Sequence, residues 1–252
     1  MKVLFLGNSS EVYGDVDASG RRGARAAEAL EAEFGEPVEM LVRRIWPTPA
    51  LPGAIEKWMA GFQPDIVYLN VVSFWFNYES VPLRLERVLG RAGKPLKSAG
   101  IKASQVPWLG HTAAFHWLRE RCQKVIGGAT FFEPDQVTSV ISDCARTIVR
   151  QEDVVLVIKG PRGQGRHNGL KHSRAWAEER RQYVHGALQR LCAELHVDYV
   201  GAQEPRYLTD PLKDVLGDRL HRGSEGHARS GDEIAAILSA AWERQRSSVH
   251  TG

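Results

Sequence analysis

The stretch Pro64-Asp-Ile-Val-Tyr-Leu-Asn-Val-Val72 is apolar on both of its alternating faces. A strand of this kind lies inside a parallel sheet that is covered on each side, because both of its faces must be kept from water. Val3-Leu-Phe-Leu6 and Asp153-Val-Val-Leu-Val-Ile158 have the same character. The three runs therefore predict the inner strands of a parallel sheet, with Pro64–Val72 at its centre.

Helical and strand-like segments alternate around these runs. The spacing of strands and helices indicates a parallel sheet with helices on both faces. The Ala- and Glu-rich segment that ends before Gly35 is typical of a helix with a glycine C-cap. The predicted helices are Arg21–Phe34, a short one ending at Phe62, Ser173–Leu195 and Gly231–Arg244, and the two remaining strands are Pro37–Ile45 and Val197–Val200.

Residues 80–150 fit the alternation less well. They contain helical patches at Val81–Leu89, Thr112–Val125 and Gln136–Arg150. We interpret residues 80–150 as a helical insertion between the third and fourth strands, over the carboxyl ends of the strands. Open parallel sheets bind their ligands at that edge.

The composition is that of a soluble globular protein. The chain has 252 residues, 43% hydrophobic and 25% charged, which is enough for one domain with a large core. We expect that domain over residues 1–244 and a flexible tail at 245–252. No apolar run approaches the roughly 20 residues that span a bilayer. The first strand begins directly after Lys2 without a small-residue cleavage site, so we also expect no signal peptide.

Net charge and cysteine content limit the partners, the cellular compartment and the cofactors that we expect. A formal net charge of +3 is too small to indicate nucleic acid. Cys122, Cys144 and Cys192 are odd in number and widely spaced, which indicates reduced thiols and a cytoplasmic protein. His111 and His116 lie far from any paired carboxylate or cysteine pattern, so we expect no metal. These features do not fix the oligomeric state.

Two polar stretches at opposite ends of the chain carry the residue types of a serine hydrolase. Gly7-Asn-Ser-Ser10 follows the first strand, and Gly7 permits a sharp turn that presents Ser9, with Ser10 as the nearest rival. Asp218-Arg-Leu-His221 precedes the last helix. A hydroxyl nucleophile needs a histidine to take its proton, and the histidine needs a carboxylate to fix its tautomer. Ser9, His221 and Asp218 are thus the candidate catalytic residues. The alternative interpretation is a Ser/Asn turn and helix capping.

These stretches resemble the motifs of the SGNH/GDSL hydrolase family. That family opens with Gly-Asp-Ser after its first strand and closes with Asp-x-x-His, a spacer, Gly-His and an apolar helix. This chain has Gly7-Asn8-Ser9, then Asp218-x-x-His221, Gly226-His227 and Ile234–Leu238. The resemblance implies a flavodoxin-like three-layer α/β/α sandwich with a five-stranded parallel sheet. It also implies that Ser9 attacks and offers its backbone N–H to the oxyanion, that His221 is the base oriented by Asp218, and that no cofactor is needed.

The chain differs from the family at two further motifs, which follow the second and the third strand. The family has a glycine after the second strand whose N–H helps to hold the oxyanion, and in the corresponding loop here the only glycine is Gly53. The family has Gly-x-Asn-Asp after the third strand, whereas this chain reads Val72-Ser-Phe-Trp75, flanked by Asn70 and Asn77. We take Asn70 as the first candidate oxyanion donor and Asn77 as the second. An ordinary polar residue at a strand end or loop is the alternative for each. Loss of one donor costs roughly 3–4 kcal/mol of transition-state stabilisation.

Two further segments predict substrate contacts. The loop Gly160-Pro-Arg-Gly-Gln-Gly-Arg-His-Asn-Gly169 offers Arg162 and Arg166 to an anionic group, and a solvated basic loop is the alternative. This loop lacks the Lys-Ser/Thr of a phosphate-binding P-loop. The segment Phe74-Trp-Phe76 predicts an acyl or aromatic pocket with Trp75 in its wall, although core packing explains the same residues.

The sequence therefore predicts a serine hydrolase that cleaves an ester of a small molecule through an acyl-enzyme. An acyltransferase with the same triad remains open, because either water or an acceptor alcohol can complete the cycle. A non-catalytic module that binds an anionic ligand, with a degenerate oxyanion hole, is the alternative from another functional class. A nucleotide-binding doubly wound domain is a third interpretation.

Overall fold

Five parallel strands form the centre of the fold. In the computed structural model, which describes residues 1–8, 16–106, 112–162, 174–201 and 223–249, the sheet has the order β2-β1-β3-β4-β5 and every pairing is parallel. This is the flavodoxin-like doubly wound order. It confirms the predicted five-stranded parallel sheet. The strands are β1 (Lys2–Gly7), β2 (Glu39–Arg44), β3 (Ile66–Asn70), β4 (Val155–Lys159) and β5 (Asp198–Val200).

Helices cover both faces of this sheet. In chain order the described helices are α1 (Arg22–Phe34), α2 (Leu51–Phe62), α3 (Phe74–Asn77), α4 (Val81–Leu89), α5 (Gly93–Gln105), α6 (Ala113–Ile126), α7 (Pro134–Ile148), α8 (Arg174–Leu195) and α9 (Ser224–Val249), with a 3-10 turn at Gly90–Ala92. The helices α1 and α9 pack on one face, and α2, α7 and α8 pack on the other. The fold is therefore a three-layer α/β/α sandwich, as the resemblance implied.

The strands divide their side chains between the two layers of helices. In β1, Val3 and Phe5 face α1 and α9, whereas Leu4 and Leu6 face α2, α7 and α8. Every residue of β3 and β4 is buried. This burial explains why the central runs are apolar at consecutive positions.

Local sequence signals set several helix ends. Gly35 ends α1 in the left-handed region, at φ 67°, where a glycine costs least. Ser80 accepts a hydrogen bond from the Leu83 backbone N–H at 3.3 Å and begins α4. Glu133 and Gln136 form a reciprocal capping box at the start of α7.

Two predicted boundaries differ from the structure. Helix α7 packs into the layer beside α2 and α8, with Val137, Ile141 and Ile148 fully buried, so residues 134–148 belong to the sandwich and not to the insertion. Helix α9 begins seven residues before Gly231 and continues to Val249, so the expected tail is helical up to that residue. None of the helices in the described ranges has an apolar stretch long enough to cross a bilayer.

Candidate active site

The carboxyl edge of the sheet brings together the strand ends that were singled out in the sequence. Gly7 pairs with Arg44 of β2 and stands one residue beyond the Leu6–Leu69 pair, which puts it level with Asn70 of β3. Asn70 in turn pairs with Lys159 of β4. The last positions of β1, β3 and β4 thus form one row across the sheet.

Asn70 lies in this row with its side chain on the side of α1 and α9. The neighbouring β3 residue Tyr68 faces those helices, and side chains alternate along a strand. Asn70 is only 6% exposed. Among the described residues, none forms a hydrogen bond with its side-chain amide. No described residue therefore competes for this amide with a group that enters from the carboxyl edge.

Asn77, the second candidate, has a different environment. Its side-chain amide nitrogen donates to the Ala177 carbonyl oxygen at 2.9 Å. Asn77 is also 6% exposed, and it joins the short helix α3 to the first turns of α8. This contact commits one of its two amide hydrogens to packing between helices.

Gly53 lies within α2 rather than in the loop that precedes it. It is the third residue of that helix, and no described residue, apart from its chain neighbours and the adjoining helix backbone, has an atom within 4 Å of the position that a Cβ would take. The backbone N–H groups of a first helical turn have no acceptor inside the helix. No side chain of the described residues caps α2. The Gly53 N–H is therefore an open donor at the carboxyl edge, beside the end of β2.

A cluster of three charged side chains adjoins the row of strand ends. Lys159 and Arg162 both form ion pairs with the Glu233 carboxylate of α9. The hydroxyl of Ser73 donates to the backbone oxygen of Arg162, which links the loops that follow β3 and β4. The cluster therefore ties the β4 loop to both α9 and the β3 loop.

Burial shapes the ionisation of this charged cluster. Burial is the largest cause that lowers the pKa of Lys159 to about 7; the positive charge of Arg162 lowers it further, and Glu233 opposes both. Burial acts to raise the pKa of Glu233, but the hydrogen bond from Arg162 and the charges of Lys159 and Arg162 outweigh it, so the pKa of Glu233 is lowered. Glu233 is thus an anion that faces Lys159 and Arg162 at the carboxyl edge.

The first turns of α1 and α9 also meet beyond this edge. The Arg22 backbone N–H donates to Nδ1 of the fully buried His227 at 3.3 Å, and the Arg22 guanidinium donates to the Ser230 hydroxyl at 3.4 Å. Helix α9 then runs back along the sheet, because Arg244 near its other end pairs with Asp198 at the start of β5 at 2.9 Å. Its N-terminus therefore lies on the carboxyl side of the strands.

Several predicted site residues lie outside the described residues. These are Ser9, Ser10, Arg166, Asp218 and His221. Their roles stay predictions. Asn8 is the last described residue before Ser9, and Gly223 is the first described residue after His221.

The aromatic side chains of residues 74–78 lie partly in the core and partly at the carboxyl edge. Trp75 is 1% exposed and packs in the core with Phe76, so the core-packing interpretation describes these two rings. Phe74 is half-buried and stacks on Tyr78, with ring centroids 4.6 Å apart. Trp46 of the β2–α2 loop meets Phe74 edge-on at 6.3 Å. The half-buried rings, and not Trp75, border the carboxyl edge.

Sequence reasoning missed Lys159 and Glu233. A charged residue that closes the apolar strand Val155-Leu-Val-Ile-Lys159 was the available signal, because a buried lysine needs a partner. Its partner is 74 residues away in sequence and carries no local signal. In the described part of the chain, no three His, Cys, Asp or Glu side chains are grouped so as to hold a metal ion.

Among the solved structures that share this fold, several are named as esterases. The psychrotrophic esterase EstA from Pseudoalteromonas sp. matches with a TM-score of 0.56 and 7% identity, over 96% of this chain and 98% of that one. TesA matches with a TM-score of 0.55 and 11% identity, over 96% and 99%. An inhibitor-bound M. smegmatis aryl esterase matches with a TM-score of 0.53 and 9% identity, over 95% and 99%.

Comparisons of the amino-acid sequence find no relative. No family model matches the chain, and no curated protein matches it significantly. The similarity to known proteins therefore lies in the arrangement of strands and helices over nearly the whole chain. The chain has the fold of the SGNH/GDSL hydrolases.

Proposed function

We propose that the protein is a serine hydrolase that cleaves carboxylic esters of small molecules through an acyl-enzyme. One observation carries the proposal. The row of strand ends sets Gly7, which precedes Ser9 by two residues, level with the buried amide of Asn70. Attack on an ester carbonyl needs a nucleophile and an oxyanion donor around one carbon atom. Neighbouring strands lie about 5 Å apart, and this separation supports a nucleophile and a donor around one carbon atom.

The position of helix α9, which follows Asp218 and His221 in the chain, is compatible with the same active site. Ser9 follows Gly7 by two residues, and His221 precedes Gly223 by two. The contact between Arg22 and His227 brings the first turns of α1 and α9 together beyond the same edge. These short separations along the chain support a meeting of Ser9 and His221.

The proposed reaction has two halves. His221 takes the Ser9 hydroxyl proton as Ser9 attacks the ester carbonyl, and Asp218 stabilises the imidazolium that forms. The tetrahedral intermediate collapses, His221 gives its proton to the leaving alcohol, and an acyl-Ser9 ester remains. Water, deprotonated by His221, then attacks that ester and releases the acid and free Ser9.

Three donors would hold the oxyanion in each half. We assign them as the backbone N–H groups of Ser9 and Gly53 and the side-chain amide of Asn70. The open N–H of Gly53 and the unshared amide of Asn70 support this assignment. Asn77 is the weaker candidate, because its amide nitrogen already donates to Ala177.

Substrate contacts are proposed at the same edge. Arg162 and Arg166 remain the candidates for an anionic group of the substrate, although Glu233 already holds the Arg162 side chain. The half-buried rings of Phe74 and Tyr78 replace Trp75 as the apolar wall. The esterases that share the fold favour ester cleavage over a non-catalytic role.

A covalent probe tests the nucleophile. The purified protein is incubated with a fluorophosphonate, and the modified residue is mapped by mass spectrometry. We expect labelling on Ser9, no labelling of Ser9→Ala, and normal labelling of the matched control Ser10→Ala. Labelling that persists in Ser9→Ala and is lost in Ser10→Ala would move the nucleophile by one residue. Absence of labelling in the wild type would favour the non-catalytic alternative.

Steady-state kinetics with p-nitrophenyl acetate test the triad. Ser9→Ala and His221→Ala are each expected to lower kcat by about 10⁴-fold or more, and the double variant is expected to lose no more than either single variant. Asp218→Asn should keep the fold and lose most of the rate, because the histidine would lose its orienting acid. Wild-type turnover by Asp218→Asn would contradict this role.

A further inference from the structure

Helix α6 exposes an apolar face. Trp117, Leu118 and Val125 are 59%, 53% and 83% exposed. At 100° per residue, these three side chains fall within one third of the helix circumference. We call them the α6 apolar face.

On the opposite side of α6, the described side chain that is buried is a polar one. Gln123 is 1% exposed, and its side-chain amide donates to the Glu79 backbone oxygen at 2.8 Å. A helix on the surface of a soluble protein normally buries its apolar stripe and exposes its polar side. The reversed arrangement shows that core packing does not explain the α6 apolar face. Exposed apolar side chains grouped on one side of a helix, here with Arg121 between them, mark an interaction surface.

Neighbouring helix α4 adds to the exposed apolar surface. Val88 and Leu89, at its C-terminal end, are 63% and 47% exposed, and α4 packs against α6. The whole segment leaves the sandwich at the carboxyl edge, because Ser80 and Ala129 form an antiparallel bridge at its base. The apolar surface therefore belongs to the segment that rises from the edge of the candidate site.

The same segment concentrates positive charge. Residues 81–126 contain nine Lys or Arg and two Asp or Glu, a net charge of +7, while the whole chain carries +3. The remainder of the chain is therefore at −4. Basic side chains also adjoin the α6 apolar face, since the Arg121 guanidinium lies 5.4 Å from the centre of the Trp117 ring.

We propose that the α6 apolar face and the basic side chains around it dock on the surface of an anionic lipid bilayer. An interfacial helix places Trp and Leu at the boundary between headgroups and acyl chains, with Lys and Arg directed to the headgroups. Each basic residue near the surface adds attraction to anionic lipid. This interaction goes beyond ester hydrolysis and does not require it.

Charge complementarity favours this partner over others. A second copy of the chain would bring two segments of charge +7 together, which is unfavourable. A nucleic-acid duplex would satisfy the charges, but its base faces are stacked inside the helix and leave no apolar surface for Leu118 and Val125. A bilayer with anionic headgroups meets both requirements.

Vesicle sedimentation tests the proposal. The full-length protein is mixed with vesicles of phosphatidylcholine, with and without phosphatidylglycerol, at low and high salt. We expect binding to the phosphatidylglycerol vesicles that weakens with salt, and a blue shift of tryptophan fluorescence in the bound state. The triple variant Trp117→Ser/Leu118→Ser/Val125→Ser should bind at least about tenfold more weakly. Arg121→Gln and Lys124→Gln should each lower partitioning about fivefold.

A matched control distinguishes the effect of this face from the effect of any large exposed side chain. Tyr183→Ser removes another large exposed side chain, 51% exposed on α8, and should bind vesicles like the wild type. Circular dichroism confirms that each variant is folded. Failure of the wild type to bind phosphatidylglycerol vesicles, or equal loss in Tyr183→Ser, would overturn the proposal. It would also be overturned if the wild type were a dimer in solution that the triple variant converts to a monomer.

Discussion

Two asparagines near the carboxyl edge have equal burial and different partners. Asn70 ends β3, and its side-chain amide forms no hydrogen bond with another described residue, whereas the Asn77 side chain donates to Ala177 of α8. An amide that already donates to a packing partner has fewer hydrogens left for an oxyanion. This difference supports the proposal that Asn70, rather than Asn77, donates to the oxyanion.

Alanine substitutions distinguish the two asparagines. Asn70→Ala is expected to lower kcat by about 10²–10³-fold, because one oxyanion donor is lost, and to leave the unfolding midpoint almost unchanged. Asn77→Ala is expected to keep most of the activity and to lose about 1 kcal/mol of stability with its hydrogen bond to Ala177. Initial rates and urea unfolding curves of both variants give the comparison. The opposite pattern would make Asn77 the donor.

At the scale of elements, close contact between α1 and α9 positions the start of α9. A Cβ at Gly231 would lie 2.5 Å from the Arg25 Cβ and 3.1 Å from the Arg22 backbone oxygen. The two helices are therefore close enough that only a glycine fits at position 231. Because Asp218 and His221 come just before α9, this contact also bears on the proposed triad.

Gly231→Ala tests that contact. The added methyl group should push α9 away from α1, at a cost of about 1–3 kcal/mol in the free energy of unfolding. Gly186→Ala in the middle of α8 is the matched control, because its Cβ would meet only Arg190 Nη1 at 3.5 Å. This control should gain up to about 1 kcal/mol from helix propensity. Equal effects of the two substitutions in urea unfolding would show that α1 and α9 can separate freely.

At the scale of the whole molecule, the cluster of Lys159, Arg162 and Glu233 joins β4, the following loop and α9. Burial lowers the pKa of Lys159 to about 7 from the ordinary value of 10.5. Between these two values the unfolded chain binds a proton that the folded protein does not. Stability should therefore rise with pH through this window, and below about pH 7 the gain is absent because both states are protonated.

The pH dependence of unfolding measures this contribution. Between pH 7.5 and 9.5, the free energy of unfolding of the wild type is expected to rise relative to Lys159→Met by at most about 1.4 kcal/mol per pH unit. Lys57→Met removes an exposed lysine of α2 and should follow the wild type. Parallel curves for the wild type and Lys159→Met would show that Glu233 keeps Lys159 charged throughout the window.

The sequence by itself determined the layers of the fold. Runs such as Val3–Leu6 and Pro64–Val72 are apolar at consecutive positions, and only a strand covered on both faces hides every such side chain. Helical segments between them then require parallel connections. The glycine after Phe34 ended α1 as predicted, because a left-handed residue has a local signature.

Tertiary structure alone decided the partners at the carboxyl edge. The pairing of Lys159 with Glu233, the packing of Trp75 into the core and the placing of α7 in the sandwich join residues far apart in the chain. Local pattern fixes which surfaces must be buried. It does not fix which of two asparagines meets a carbonyl, because that depends on strand register and on the approach of helices from elsewhere in the chain.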